Sequence, residues 1–255
     1  MVTIESEEDL EDLNQNYLPI GGGSNIIINP EIQQPLIKVS PSFFPTSVEN
    51  DKITCSAGLP LAVLIKTALS NELSGLEFAT GVPATIGGMV YMNFECWGIQ
   101  ISDMIHSVFV YTPDKGCHWQ SRSDYQSGYR WTSFHEDNAI ILAVCLKLTP
   151  NSPLKIKALM TKYLNERKQK QPIMNATFGS VFKNPLPKKA GQVVDEIGLK
   201  GTKVGDAMVS NKHANFFENI DDASYEDTIN LINIIQNKVN TMYNIKLECE
   251  VQILD

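Results

Sequence analysis

The run Gly179-Ser180-Val181-Phe182-Lys183-Asn184, closed by Pro185, decides how the rest of the chain is read. It sets a hydroxyl, an ammonium and a carboxamide within five residues, between a flexible glycine and a stiff proline. That mixture suits a polar ligand with an anionic group: Lys183 for charge, Asn184 for hydrogen bonds, Ser180 to give or take a proton. Taken alone, a polar loop before a helix explains the run better, so the surrounding chain has to decide.

Bulk properties narrow the field first. A chain of 255 residues can bury a full core, as one large domain or two to three small ones packed together. At 43% hydrophobic and 20% charged, the composition is that of a globular protein. A net charge of -8 offers no broad basic field to neutralise phosphates, which argues against a nucleic-acid binder. The five cysteines (Cys55, Cys96, Cys117, Cys145, Cys249) are dispersed, form no CxxC pair, and have no histidine at zinc-ligand spacing. A reduced protein without a structural metal is expected. Met1 to Leu10 is acidic and lacks the pattern of a signal peptide, and no run approaches the ~20 apolar residues of a membrane helix. A cytoplasmic monomer with no membrane partner is expected.

Moving outward from the opening run, Leu154 to Gln169 has helical spacing and ends at Lys170-Gln171-Pro172. Ala139 to Leu148 reads as a strong buried strand, and His106 to Thr112 as another. Between them lies Gly128-Tyr129-Arg130-Trp131-Thr132, where Arg130 can hold a carboxylate bidentately beside Tyr129. Two glycine-rich stretches precede these. Gly21-Gly22-Gly23-Ser24-Asn25, between Tyr17–Ile20 and Ile26–Ile28, follows a strand, turn, strand pattern; its amides can converge on phosphate oxygens, or it is a plain turn. It is not GxGxxG and no long helix follows, which disfavours a Rossmann site. Gly81-Val82-Pro83-Ala84-Thr85-Ile86-Gly87-Gly88 can clamp the other side of the same ligand, or simply connect. Leu36–Val39 and Ile53–Ala57 read as strands, Pro60–Leu69 as an amphipathic helix, and Ser6–Asn14 as a short helix with an S-x-x-D box.

Beyond the run, Ala190–Ile197 reads as a short helix, and Gly201 and Gly205 mark turns around a strand ending at Ser210. His213 is either a ligand contact or a solvated loop histidine. Ser224–Met242 is the longest helix, with a second S-x-x-D cap and a core stripe of Ile229, Ile232, Ile235 and Val239. Ile245–Leu254 alternates as one strand: Leu247, Cys249, Val251 and Ile253 face one way, Glu248, Glu250 and Gln252 the other.

Four segments in this order, GGGSN (21–25), GVPATIGG with YMN (81–93), GYR (128–130) and GSVFKNP with the downstream AG, GLKG, VSNKHANFFEN and LECEV, resemble the UDP-N-acetylenolpyruvoylglucosamine reductase family of peptidoglycan precursor synthesis. The similarity runs over nearly the whole chain. It implies an α+β fold: a two-subdomain FAD-binding module of the PCMH/VAO type, plus a C-terminal α/β substrate-binding domain. The expected division is 1–38, 39–150 and 151–255, with the last strand, 245–254, returning to the active-site cleft. The resemblance also implies the chemistry. NADPH reduces FAD and leaves; hydride then passes to the methylene carbon of the enolpyruvyl ether, and a serine protonates the neighbouring carbon. By position, Ser180 is that acid, while Arg130 and Glu250 flank the enolate. Tyr129, Lys170, Lys183, Asn184 and His213 are expected to bind substrate. Gly21, Gly22, Gly23, Ser24 and Asn25, with Gly81, Val82, Pro83, Thr85, Gly87, Gly88 and Asn93, are expected to bind FAD.

The chain also departs from the family pattern. Where Asn-x-Gly-Ala-Tyr-Gly is usual it has Asn93-Phe94-Glu95-Cys96-Trp97-Gly98, with Ala84 for a glycine, Phe178 for a small residue and Thr132 for serine. No inserted loop with an extra substrate tyrosine separates Arg130 from Lys170, the pattern of the shorter form of the family. The strand and turn expected before the first helix is read as missing, leaving a trimmed first subdomain. That shortening and Glu95 motivate a second reading, a non-catalytic flavin- or sugar-nucleotide-binding relative. A flavin oxidase acting on another substrate finds no His- or Cys-containing attachment motif.

Overall fold

The computed structural model describes residues 1–11, 13 and 17–255. The fold is α+β, in two compact units: Met1–Gly22 with Gln34–Leu164, and Gly23–Gln33 with Asn165–Asp255. The grouping departs from the division 1–38, 39–150 and 151–255. Residues 23–33 join the C-terminal unit because Ile26–Ile28 pairs in parallel with the last strand, Gln252–Leu254. The other boundary falls inside a helix, Pro153–Lys170.

The first unit is built around the strand Ile140–Lys147. Ala139–Leu148 carries a single charge, Lys147, so it can be buried on both faces, and seven of the eight strand residues are buried. Ile140 and Leu142 join a cluster with Ile4, Leu10, Tyr17 and Ile37. Ile141, Val144 and Leu146 join the larger core with Ile53, Leu61, Leu64, Phe78 and Ile86. The strand sits third in an antiparallel sheet ordered Gly116–Ser121, Ile105–Thr112, Ile140–Lys147, Lys52–Ser56 and Ser47–Glu49. Helices Leu61–Ser70 (α1) and Ile86–Tyr91 (α2) contribute the other side of that core.

The N-terminal region departs from expectation. The strand read as missing is present: Val2–Ile4, all three residues β-branched, pairs in parallel with Leu36–Val39, and Ile4 is fully buried. Leu18–Pro19 pairs with that same strand, so the strands flanking GGGSN pair with different partners rather than with each other. Among the described residues the helix expected over Ser6–Asn14 is one 3-10 turn, Glu8–Leu10, with Asp9 accepting the amides of Glu5 and Ser6 at 2.7 and 2.9 Å. Residue 14 and its neighbours 12, 15 and 16 lie outside the described residues. Helix α2 stands where a connecting loop is expected, because Gly87 and Gly88 mask its helical character in the sequence; Thr85 caps it.

In the second unit, the strands Lys203–Val204, Ala207–Val209 and Phe217–Asn219 form an antiparallel sheet. Isolated bridges, Ala176 to Asn219, Ser180 to Phe216 and Phe182 to Cys249, carry the pairing onward. The expected final strand is thus broken: 245–251 contributes one isolated bridge, at Cys249, and regular pairing holds only over Gln252–Leu254. Helices Ala190–Glu196 (α3) and Tyr225–Tyr243 (α4) contribute Val193, Val194, Leu231, Ile232, Ile235 and Val239 to its core, with Val181, Phe182 and Val251. Among the described residues, no helix is long and apolar enough to cross a membrane.

Helix α4 begins on a reciprocal box. Ser224 Oγ accepts the Asp227 amide at 3.0 Å, and Asp227 accepts the Ser224 amide at 3.0 Å. Its end is an Asn244 in the left-handed conformation, whose amide bonds Asn240. Ser224→Ala removes one of the two bonds and should lower stability by about 1 kcal/mol in chemical denaturation, with the slope of the transition unchanged.

Candidate active site

Ser180 lies on a segment held from both sides. On one side, the amides of Glu250 and Val251 reach the Val181 carbonyl at 2.8 and 3.4 Å, and the Lys183 amide reaches the Glu248 carbonyl at 2.9 Å. On the other, Val181 N–H donates to the Asn215 carbonyl at 2.9 Å. The serine and Glu250 therefore stand on neighbouring, backbone-paired stretches. Their exposures differ from simple alternation. Glu250 is buried at 8% exposure, whereas the Glu248 side chain is 70% exposed and reaches Lys183 Nζ at 3.5 Å. An open pair of that kind is weak, so Lys183 can exchange its partner for an anionic ligand.

Asn184 places its side-chain oxygen 3.0 Å from the Ala190 amide, at the first residue of α3. It thereby steadies the turn after Ser180 as well as offering a polar side chain. Lys170, at the end of the helix Pro153–Lys170, lies 3.7 Å from Glu166. His213 is half-buried, edge-on to Phe216 at 4.7 Å, and its Nδ1 accepts the Asn215 amide at 3.2 Å. Its ring crowds Gly191, where a Cβ would come within 3.2 Å of Cε1. These contacts exclude a solvated loop histidine.

Asn25 belongs to the same unit. Its side chain donates to the Glu250 carbonyl at 3.3 Å, and its carbonyl accepts the Gln252 amide at 3.0 Å. The second half of GGGSN is thus tied to the segment that carries Glu250 and leads into the last strand. Gly23, at φ 77°, makes the turn between the halves.

In the first unit, Gly21 and Gly22 pack on the second glycine-rich loop. A Cβ on Gly21 would lie 2.6 Å from Thr85 Oγ1 and 3.4 Å from the Gly88 Cα; one on Gly22 would lie 3.6 Å from the Pro83 carbonyl. One on Gly87 would meet Ala57 at 2.9 Å. Two stretches distant in sequence thus meet as backbone with little side chain between them. Such a cradle fits the diphosphate of a dinucleotide such as FAD.

Arg130 sits in the two-residue turn of a small hairpin in which Ser127 pairs with Thr132 and Gly128 with Trp131. Its φ of 55° is left-handed, a strained state for a non-glycine residue, so surrounding bonds have to hold it. They come from residues 91–95. Asn93 Nδ2 donates to the Gly128 carbonyl at 2.9 Å, and Thr132 and His135 reach the Tyr91 carbonyl at 2.9 and 2.8 Å. Arg130 Nη1 itself donates to the Glu95 carbonyl at 3.1 Å, with its guanidinium 5.3 Å from the Tyr129 ring centre and 5.8 Å from that of Phe94. Asn93 Oδ1 is buried with no hydrogen-bond partner among the described residues, so it can accept from a donor on a ligand. The anchoring role of Tyr91 and Glu95 leaves no trace in the sequence, because both act through main-chain carbonyls.

Residues 171–254 match the family model for the C-terminal domain of UDP-N-acetylenolpyruvoylglucosamine reductase, and residues 6–119 match that of the FAD binding domain. The reductase of Halalkalibacterium halodurans is 34% identical over 246 residues, covering 96% of this chain and 82% of the relative. The chain belongs to the UDP-N-acetylenolpyruvoylglucosamine reductase family. The reductase of Thermotoga maritima is 33% identical over 235 residues, covering 92% of this chain and 82% of its own. The crystal structure of the reductase from Thermus caldophilus is similar with a TM-score of 0.88 at 30% identity, over 100% of this chain and 92% of that one. Family membership thus extends over both glycine-rich loops, the Arg130 hairpin and the Ser180 segment.

Burial holds the His213 imidazole below its usual value of 6.5, against the upward pull of a backbone hydrogen bond, with smaller effects of Lys200 downward and Asp195 upward. Between 6.5 and the lower folded value, the unfolded chain binds the extra proton, so acidification below pH 6.5 removes stability. The loss should level off beneath the folded value. In His213→Asn that part of the pH dependence should vanish when unfolding midpoints are compared across the same buffers.

Proposed function

We propose that this chain reduces UDP-N-acetylglucosamine enolpyruvate to UDP-N-acetylmuramate with FAD and NADPH, a step of peptidoglycan precursor synthesis. The observation that carries the reading is the backbone pairing that sets Ser180 beside Glu250, within the unit matched by the reductase's C-terminal model. Bound FAD supplies a two-electron relay, taking hydride from NADPH and giving it to the methylene carbon of the vinyl ether.

The chain's own groups do the rest. The Ser180 hydroxyl gives a proton to the carbon next to the one that receives hydride. A serine is a weak acid in water, but an enolate carbon is basic enough to take its proton where the resulting alkoxide is stabilised. Arg130 stabilises the negative charge on the enolate with its planar guanidinium. Glu250, buried and in its acid form, donates a hydrogen bond to the substrate carboxylate. Lys170, Lys183, Tyr129, Asn184 and His213 are assigned to the sugar nucleotide, the two lysines to its diphosphate charge.

The cofactor is assigned to the glycine-rich backbone. Gly21, Gly22, Gly23, Ser24 and Asn25, with Gly81, Val82, Pro83, Thr85, Gly87 and Gly88, line the diphosphate, and Asn93 offers its side-chain oxygen to a donor on FAD. The reading places the protein in the cytoplasm as a monomer, with small-molecule partners only.

Purified protein should be yellow and should oxidise NADPH only when the enolpyruvyl sugar nucleotide is added. Ser180→Ala should leave reduction of the flavin by NADPH at the wild-type rate while slowing turnover by about 10²- to 10⁴-fold, the usual contribution of a positioned proton donor. Equal loss of both half-reactions would remove Ser180 from the acid role.

A further inference from the structure

Asn215 uses every hydrogen-bonding group it has within a few residues of the reacting serine. It is 4% exposed. Its side-chain oxygen accepts the Phe182 amide at 3.0 Å, and its side-chain nitrogen donates to the Phe182 carbonyl at 2.8 Å. Its own carbonyl accepts the Val181 amide at 2.9 Å, and its amide donates to His213 Nδ1 at 3.2 Å. A carboxamide that bonds both the N–H and the C=O of one residue imitates a neighbouring strand. The imitation is needed here because backbone pairing with the segment that carries Phe216 and Asn215 stops at Val181. Residues 210–213 instead form a turn closed by Ser210 Oγ, which accepts the amides of Lys212 and His213 at 3.1 and 3.3 Å.

The result is that residues 180–183 are held along their full length. Glu250, Val251 and Glu248 hold one edge; Phe216 and Asn215 hold the other. The Phe182 ring is fully buried, so the segment cannot rotate without breaking the clamp and lifting that ring from the core. Ser180 stands two residues from the clamp and takes the place of its backbone from it. We infer that Asn215 is a positioning residue for proton delivery by Ser180: its side chain sets the register of 180–183 against Glu250, and thereby the place of the Ser180 hydroxyl relative to the carbon it protonates. The inference rests on the reductase reading above.

Asn215→Asp tests it, because the carboxylate keeps the shape and the acceptor for the Phe182 amide but cannot donate to the Phe182 carbonyl. Reduction of the flavin by NADPH should stay within about twofold of wild type. Reoxidation by saturating enolpyruvyl sugar nucleotide should slow by about tenfold or more, and its solvent deuterium isotope effect should rise as proton delivery becomes limiting. A merely structural role would raise KM and lower the melting temperature but leave the saturated reoxidation rate and its isotope effect unchanged, and that outcome overturns the inference.

Should Asn215→Asp not fold, Asn215→Ser is compared in the same two half-reactions, and hydrogen exchange of the wild-type Phe182 amide is read as well. Exchange as slow as that of Val181 supports the clamp; exchange at the rate of an open loop overturns it. A wild-type protein that never oxidises NADPH with the sugar nucleotide overturns the reductase reading itself, and the inference with it. An active wild type with unaltered variants overturns the inference alone.

Discussion

The short exchange of backbone hydrogen bonds between residues 181–183 and 248–251 is the constraint on which the second unit depends. It joins the end of the chain to its middle, and it does so with two partly regular segments rather than a long ladder. Single bridges are individually weak, at roughly 1 kcal/mol net each. What makes this pairing firm is its placement against the core: Val181, Phe182, Leu247 and Val251 are all buried among the helices α3 and α4. Val181 and Phe182 are fully buried on one segment and Val251 is buried on the other, so a one-residue slip would set these backbone bonds against that burial. The polar residues of the site owe their positions to the apolar residues beside them.

The first unit solves a different problem, since Arg130 must be held in a turn that its own backbone disfavours. A left-handed arginine costs about 1–3 kcal/mol, and the bonds from residues 91–95 offset that. Those bonds end on main-chain carbonyls or on Asn93. The turn Trp97-Gly98 that follows has both residues at positive φ, as the connection of Glu95–Cys96 to Ile99–Gln100 requires. Residues 91–100 thus act as a brace for 127–135.

Much of this is legible in the sequence, for identifiable reasons. The strand over 139–148 and the helix over 224–242 declare themselves through runs long enough for period and capping to agree. The proposed site residues stand out where side-chain chemistry clusters, at Ser180, Lys183 and Asn184. What escapes reading depends on partners distant in the chain. Val2–Ile4 is too short to announce a strand without Leu36–Val39 beside it, and Ile26–Ile28 cannot reveal that its partner is the last strand. The brace on Arg130 escapes because carbonyls carry no sequence signal. Asn215 is visible in the HANF motif, but only the geometry shows what its carboxamide holds.

The departures from the family pattern fall into place on the same ground. Glu95 stands where glycine is usual, yet Arg130 takes the main-chain carbonyl of that residue, which any amino acid supplies. The side chain is free to vary so long as the backbone can follow the hairpin. Phe178, two residues before Ser180, packs against the second core and meets Phe217 edge-on at 6.1 Å. It also lines a cavity of about 340 Å³ with Ile26, Ile28 and Glu218. Glu218, 7% exposed, is bonded by Asn175, and the Asn219 amide bonds the Ala176 carbonyl at 2.9 Å, so the approach to Ser180 is anchored beside the added ring. Substitutions at 95 and 178 therefore change side chains while leaving intact the backbone contacts that hold Arg130 and residues 180–183 within their own units.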